Sequence, residues 1–377
     1  MIRAKWISPG GAFLTMSLQE IKDLLTKPIG EKTEGKARKR RVSAPTDVVG
    51  IELGAGDSRG CPAVRLVRRK EKWTVRAIGF VPPPTGDLPT SWQGLDQQPA
   101  WTIPAPFTAS AAALAVNSFD AVVRQTTLES LPVEDGKAPM PGVPVSHDGI
   151  RFAIAPLDEA SFVLESGLPE YQALWLSRLL PEGRRPTACS VQTVPTAMLA
   201  ALATQPELQA NDGNAAALLV TESSIYFVGF RNGALVLFRE FPGVGGAAKI
   251  REALKAGFGM EDKMLDEVLN DTLIDSSPIL VPIVNPIFRQ LELSLDYLKS
   301  RLNLSVDKVL MMGLPCGANH WCRMAEDSLS LQLVAPDVFA GVELTVGFDP
   351  TSEALLKKSG VFMAAFGAAR AAMEVAE

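Results

Sequence analysis

Apolar residues fall into two kinds of run along this chain. Short runs stop at small and polar residues and then reverse. Val48-Val49-Gly50-Ile51-Glu52-Leu53 ends in Gly54-Ala55-Gly56-Asp57-Ser58 and returns as Ala63 to Arg68. Ala216-Ala217-Leu218-Leu219-Val220 ends in Thr221-Glu222-Ser223-Ser224 and returns as Ile225 to Phe230. Each predicts a strand, a turn and a second strand, one unit in each half of the chain. A third run, Lys308–Met312, stops at Gly313-Leu314-Pro315-Cys316-Gly317. Further strands are expected at Trp73–Phe80, Cys189–Val194 and Leu235–Glu240.

The second kind of run has helical spacing. Pro286–Leu302 is the clearest, with Ile287, Leu291, Leu295, Leu298 and Leu302 on one face. Helices are also expected at Tyr171–Leu180, Pro195–Thr204, Ala247–Ala256, Met260–Leu269 and Ser359–Val375, and a short amphipathic one at Ser17–Leu25. Ala113–Val116 and Ala121–Leu128 read as two strands around the turn Asn117-Ser118-Phe119-Asp120. Proline-rich stretches at 82–106 and 134–149 flank them, which marks residues 107–157 as a small inserted subdomain.

The organisation that follows is α/β with two lobes. Residues 1–46 form a tail, 47–212 a first lobe carrying the insertion, and 213–345 a second lobe. Residues 346–377 return to the first lobe as a helix. A length of 377 residues suits two lobes rather than one core.

Composition narrows the function classes. With 47% apolar and 21% charged residues the chain is globular, and a net charge of −5 supplies no general attraction for nucleic acid. The charge is segregated: residues 1–46 carry +6, leaving −11 for the remainder. Lys36, Arg38, Lys39, Arg40 and Arg41 form a basic cluster that reads either as a solvated linker or as a contact for anionic lipid. Cys61, Cys189, Cys316 and Cys322 show no framework spacing, as expected in a reducing cytoplasm. Cys316, His320 and Cys322 could be imagined as metal ligands, but a turn beside Trp321 accounts for them equally. No secretory signal opens the sequence, and the apolar C-terminal helix is too short to span a bilayer.

The candidate chemistry lies in the small-residue loops. Small side chains let backbone N–H groups approach an anion, so paired loops can clamp a phosphate chain from two sides. Taken singly, each is also an ordinary hairpin turn. Their order, from residue 47 to the end, resembles the actin-like ATPase superfamily and, within it, the PilM proteins of type IV pilus machines. The resemblance is most specific at Arg231-Asn232-Gly233, at Phe238-Arg239-Glu240-Phe241-Pro242-Gly243-Val244-Gly245-Gly246, at Gly259-Met260-Glu261-Asp262, and at the long helix Phe288 to Arg301 ahead of Val309–Met312.

The resemblance implies Mg-ATP between the lobes, held by Glu52, Gly54, Ala55, Gly56 and Asp57 in the first loop. In the second loop it implies Thr221, Glu222, Ser223 and Ser224, and on the adenosine side Gly313 and Gly317. No catalytic residue and no protein metal ligand are assigned. Three departures weaken that site. Glu52 stands where the family has Asp. Thr221-Glu222 replaces an Asp-Ile-Gly pattern, which would aim the Glu222 carboxylate at the phosphates. Leu314 and Pro315 replace glycines, and proline has no N–H to offer. Weak or lost nucleotide binding is therefore expected.

For such a protein the resemblance implies a scaffold at the cytoplasmic face of the inner membrane, in a type IV pilus or type II secretion assembly. Its partner would be the cytoplasmic peptide of a PilN-like bitopic membrane protein, with a motor ATPase as a further contact. The related cytoplasmic part of GspL is followed by a membrane helix, and the absence of one after Glu377 favours PilM. The alternative is a small-molecule kinase of the same superfamily, which needs intact phosphate loops and a carboxylate base, for which Asp57 is the candidate. A cell-division protein of the FtsA kind would need a linker before its terminal helix, and none follows Asp349.

Overall fold

A computed structural model describes residues 44–54, 59–70, 72–96, 101–131, 139, 144–157, 162–180, 186–209, 214–261, 277–313, 318–345, 355–356 and 359–374. The expected helix at Ser17–Leu25 and most of that at Met260–Leu269 lie outside them.

The first sheet is built on β1 (Asp47–Leu53), which pairs antiparallel with β2 (Cys61–Arg69) and parallel with β4 (Ala111–Val116). β3 (Lys72–Val81) flanks β2, and β9 (Thr187–Thr193) lies parallel to β4. The second sheet repeats this plan. β10 (Ala215–Val220) pairs antiparallel with β11 (Ile225–Arg231) and parallel with β13 (Lys308–Met312), and β12 (Ala234–Glu240) and β14 (Gln332–Val334) complete it. The orders β3-β2-β1-β4-β9 and β12-β11-β10-β13-β14 match strand for strand and sense for sense, and β15 (Glu343–Leu344) adds one edge to the first. Two copies of one layout are present. Alanine-rich central strands make it possible: β4 and β10 are buried along their whole length, so both faces can take packed layers.

A smaller sheet follows the order β5-β8-β7-β6, from β5 (Val122–Thr127), β6 (Val145–His147), β7 (Ile150–Pro156) and β8 (Phe162–Pro169). This moves a boundary. The residues expected to pair around Asn117–Asp120 belong to different sheets, with β4 in the first lobe and β5 in the insertion, which runs on to residue 169. A strand buried on both faces belongs in the middle of a parallel sheet, whereas β5 is half exposed and lies at an edge.

Among the helices, α1 (Glu170–Leu179) covers one face of the first sheet, and its Trp175, Leu176 and Leu179 pack with Ile51, Leu114 and Trp101. α2 (Val194–Leu202) leaves β9, and α3 (Pro206–Gln209) leads to the second lobe. α4 (Ala247–Phe258) and α5 (Ser277–Leu302) cover the outer face of the second sheet through Ile250, Leu254, Leu280, Val284, Ile287 and Leu291. α6 (Ala318–Leu329) adds Trp321 to that core, set edge-on to Phe288. α5 begins nine residues before the expected start and carries Pro282 and Pro286 within it. The fully buried Leu280 and Val284 hold the early turns, so burial outweighs the lost N–H donors.

The C-terminal helix α7 (Met363–Glu374) and α2 form the layer between the sheets. One continuous core joins Val48, Leu66 and Ala113 of the first lobe to Leu219, Phe230 and Leu310 of the second through Met198, Phe366 and Ala369. Close approach sets this layer: a Cβ on Gly50 would stand 1.8 Å from the Ala365 carbonyl oxygen. The lobes thus share one hydrophobic interior.

Candidate functional site: the cleft between the lobes

β1 and β10, equivalent strands of the two sheets, lead into the two loops singled out by sequence. The ends of β1 and β4 are tied where the Asn117 N–H donates to Leu53 O at 2.9 Å. Gly54 follows with φ +79°, while Ala55, Gly56, Asp57 and, on the adenosine side, Gly317 lie outside the described residues. Glu52 is partly buried near Cys61. Burial, and then the Glu52 charge, push the Cys61 thiol up to about 11.

The second loop is wired into itself and into α4. The Thr221 hydroxyl donates to Ser224 O at 2.9 Å and accepts from Ser224 N–H at 3.1 Å, and Thr221 N–H donates to Ser224 O at 3.0 Å. Thr221 is buried, and its oxygen closes the hairpin. The N–H groups of Ala247 and Ala248, at the head of α4, donate to Thr221 O (2.8 Å) and Glu222 O (3.1 Å). Such groups are the usual anion donors of a helix N-terminus; here loop carbonyls occupy them. A Cβ on Gly246 would stand 2.4 and 2.5 Å from those two oxygens, so only glycine lets the loop lie on the helix.

Glu222 departs from the sequence expectation. Its carboxylate forms a two-pronged ion pair with Arg251, one turn into α4, with Nη1 3.0 Å from Oε1 and Nη2 on Oε2. The arginine on the same helix neutralises it, so the predicted repulsion of phosphates does not arise from a bare charge. Ser223 Oγ donates to Asn117 Oδ1 at 3.4 Å across the cleft, and Asn117 Nδ2 is buried with no partner among the described residues. Ser224 Oγ donates to Glu240 at 2.7 Å. Burial first, then the Glu240 charge, push the neighbouring Tyr226 phenol up to about 12. From β13, Gly313 (φ +78°) lies against β10, where a Cβ would be 2.2 Å from Val220 O.

The structure thus brings together Thr221, Glu222, Ser223, Ser224 and Gly313, with Gly54 reached through Asn117. Sequence reasoning missed Asn117, read as a turn residue, and Arg251. Only the glycine pair before α4 signalled that a loop lies close to that helix. Among the described residues, no three His, Cys, Asp or Glu side chains are placed to share a metal. No described helix is long and apolar enough to cross a membrane.

A second feature lies where the first lobe meets the insertion. Phe119 is 84% exposed, and Trp92, 53% exposed, sits edge-on to Tyr171 with ring centres 6.0 Å apart. The Tyr171 hydroxyl donates to Asp120 at 3.3 Å, which ties the Trp92–Tyr171 pair to the turn that carries Phe119. Nearby, Gln125 of β5 accepts the Phe238 N–H of β12 at 2.8 Å, which links the insertion to the second lobe.

No protein-family model and no curated protein matches the chain. Among solved structures, a chain of the PilM-PilN type IV pilus biogenesis complex superposes with a TM-score of 0.58 at 18% identity, over 88% of this chain and 99% of that one. The ethanolamine utilization protein EutJ from Carboxydothermus hydrogenoformans gives 0.40 at 12% identity, over 86% and 89%. A Bacteroides thetaiotaomicron protein with actin-like ATPase fold gives 0.37 at 10%, over 83% and 96%. The first of these likenesses carries the fold alone: the chain has an actin-like, two-lobe α/β fold, as its sequence led one to expect.

Proposed function

We propose that the chain is an actin-like scaffold of a type IV pilus-like assembly that grips the cytoplasmic peptide of a PilN-like bitopic membrane protein and binds nucleotide weakly or not at all. Its supports are of two kinds. The structural neighbour is part of a complex with PilN. The observation that carries the nucleotide half is the second loop: the Thr221 hydroxyl and the first α4 amides are engaged by loop atoms rather than offered to the cleft. Losing two charge-assisted contacts costs on the order of 1.5–3 kcal/mol each, enough to move a micromolar site toward millimolar.

The exposed Phe119 and Trp92, with the half-buried Tyr171 beside Trp92, are the surface best suited to a peptide, because aromatic anchors dominate interface energetics. A peripheral position at the inner membrane, with a motor ATPase as a further neighbour and lipid contact through Lys36, Arg38, Lys39, Arg40 and Arg41, completes the reading. Co-purification with the bitopic protein encoded beside it tests the scaffold, and failure to co-purify counts against it. Calorimetry with Mg-ATP tests the cleft; a dissociation constant of a few micromolar overturns weak binding.

A further inference from the structure

The longest helix of the second lobe turns an apolar stripe outward. On α5, Leu280, Val284, Leu291 and Leu298 face the core and are fully buried. Pro282, Pro286, Leu293 and Tyr297 lie along the opposite side and are exposed, Leu293 by 49% and Tyr297 by 46%. Steps of four, seven and four positions keep these residues on one line of an α-helix. The line runs for about 22 Å at about 1.5 Å per residue. Single exposed apolar side chains are ordinary on a folded protein, but an aligned set marks a contact surface. Arg289 stands on the same line between Pro286 and Leu293, and Asp296 borders it. Both are exposed, and neither makes an ion pair among the described residues.

We infer that this stripe is the contact for a second copy of the chain, the two α5 helices pairing antiparallel about a two-fold axis at Leu293. The charges select both the occupant and the direction. With Leu293 on the axis, positions equally far before and after it face each other across the seam. Arg289 then meets the partner's Tyr297, whose ring accepts a guanidinium on its face, and the partner's Asp296 beside it. The two-fold makes each of these contacts twice. A parallel pairing would set Arg289 on Arg289 and Asp296 on Asp296, and like charges oppose that. One helix face covers less than the roughly 800 Å² per partner of a standard interface, so the dimer is weak and fills only where copies are concentrated. The inference goes beyond the scaffold reading and does not rest on it.

Sedimentation velocity of the full-length protein, from micromolar to submillimolar concentration, reads the pairing. Wild type is expected to pass from monomer to dimer across that range. L293D is expected to raise the dissociation constant at least tenfold, since it puts two carboxylates on the axis. R289E and D296R are each expected to raise it severalfold, and R289E/D296R, which swaps the pair, to recover most of that loss. These positions are exposed, so thermal melts should match wild type. A second measurement uses the axis itself. L293C is expected to form an intersubunit disulfide on mild oxidation, because position 293 meets its own copy, whereas K299C, exposed but off the stripe, is not. A chain that stays monomeric throughout, even if another protein binds the stripe, overturns the proposal. So does a dimer indifferent to L293D, or a double charge swap that pairs no better than the weaker single variant. A dimer that survives L293D but is lost in F119A places the contact at the insertion and overturns it as well.

Discussion

Gly367 of the C-terminal helix crosses α2 so closely that a Cβ added to it would stand 1.8 Å from the Ala197 carbonyl oxygen. This crossing lies inside the core that joins the lobes, among Met198, Ala201, Phe366 and Ala368. A side chain there must force the helices apart, because the obstacle is backbone. G367A is expected to destabilise the protein by about 1–3 kcal/mol, and G367V by more. Urea denaturation checks this. A midpoint unchanged in G367A would show that the two helices can slide apart cheaply.

The aromatic neighbourhood at the insertion gives the opposite kind of prediction. Phe119 and Trp92 are mostly exposed, so F119A and W92A should alter stability by less than about 0.5 kcal/mol. If they anchor the partner peptide, each should weaken its binding by at least about 1–2 kcal/mol, roughly five- to thirtyfold. Titration of the peptide into both variants, with thermal melts alongside, separates the two effects. Full affinity in both variants would move the docking surface elsewhere.

Alkaline pH should loosen the fold. Cys61 is held neutral up to about 11 against an ordinary 9.0, and Tyr226 up to about 12 against 10.0, chiefly by burial. Both pKa values are raised in the folded state, so the unfolded chain releases these protons first. Stability is therefore fully present below pH 9 and falls as pH rises through 9 toward 12. Urea midpoints between pH 8 and 11 should show the decline, and C61A should reduce it. The same burial predicts slow alkylation of Cys61 at pH 8 in the native protein and fast alkylation after unfolding.

The strands that frame the cleft were legible because their signals are local. Ala216–Val220 and Lys308–Met312 are unbroken apolar runs closed by small residues, and β13 has the expected limits. Other features depend on distant partners. Nothing near Ala111–Val116 reveals that it runs parallel to β1, and the polar turn after it imitates a hairpin. β7 and β8 were missed because Arg151, Glu165 and Ser166 interrupt their apolar alternation, although all three are buried. The start of α5 was hidden by two prolines that tertiary packing tolerates. Glu222 and Arg251 lie 29 positions apart, and only the fold shows that the acid meets a base before it can meet a phosphate.

The last prediction concerns the basic cluster. Residues 1–46 carry +6 against −11 in the rest of the chain, so any attraction to an anionic surface must come from that end. Each Lys or Arg near such a surface contributes about 1 kcal/mol, and the contribution fades beyond a Debye length of about 8–10 Å. Deleting residues 1–46, or replacing Lys36, Arg38, Lys39, Arg40 and Arg41 by Gln, should lower binding to phosphatidylserine-containing vesicles at least tenfold at low salt. The difference should vanish in concentrated salt and on neutral vesicles, while peptide binding by the body stays intact. Co-sedimentation across a salt series reads all of this. Equal sedimentation of the full and truncated proteins on anionic vesicles would reduce the cluster to a solvated linker and leave the partner as the sole tether.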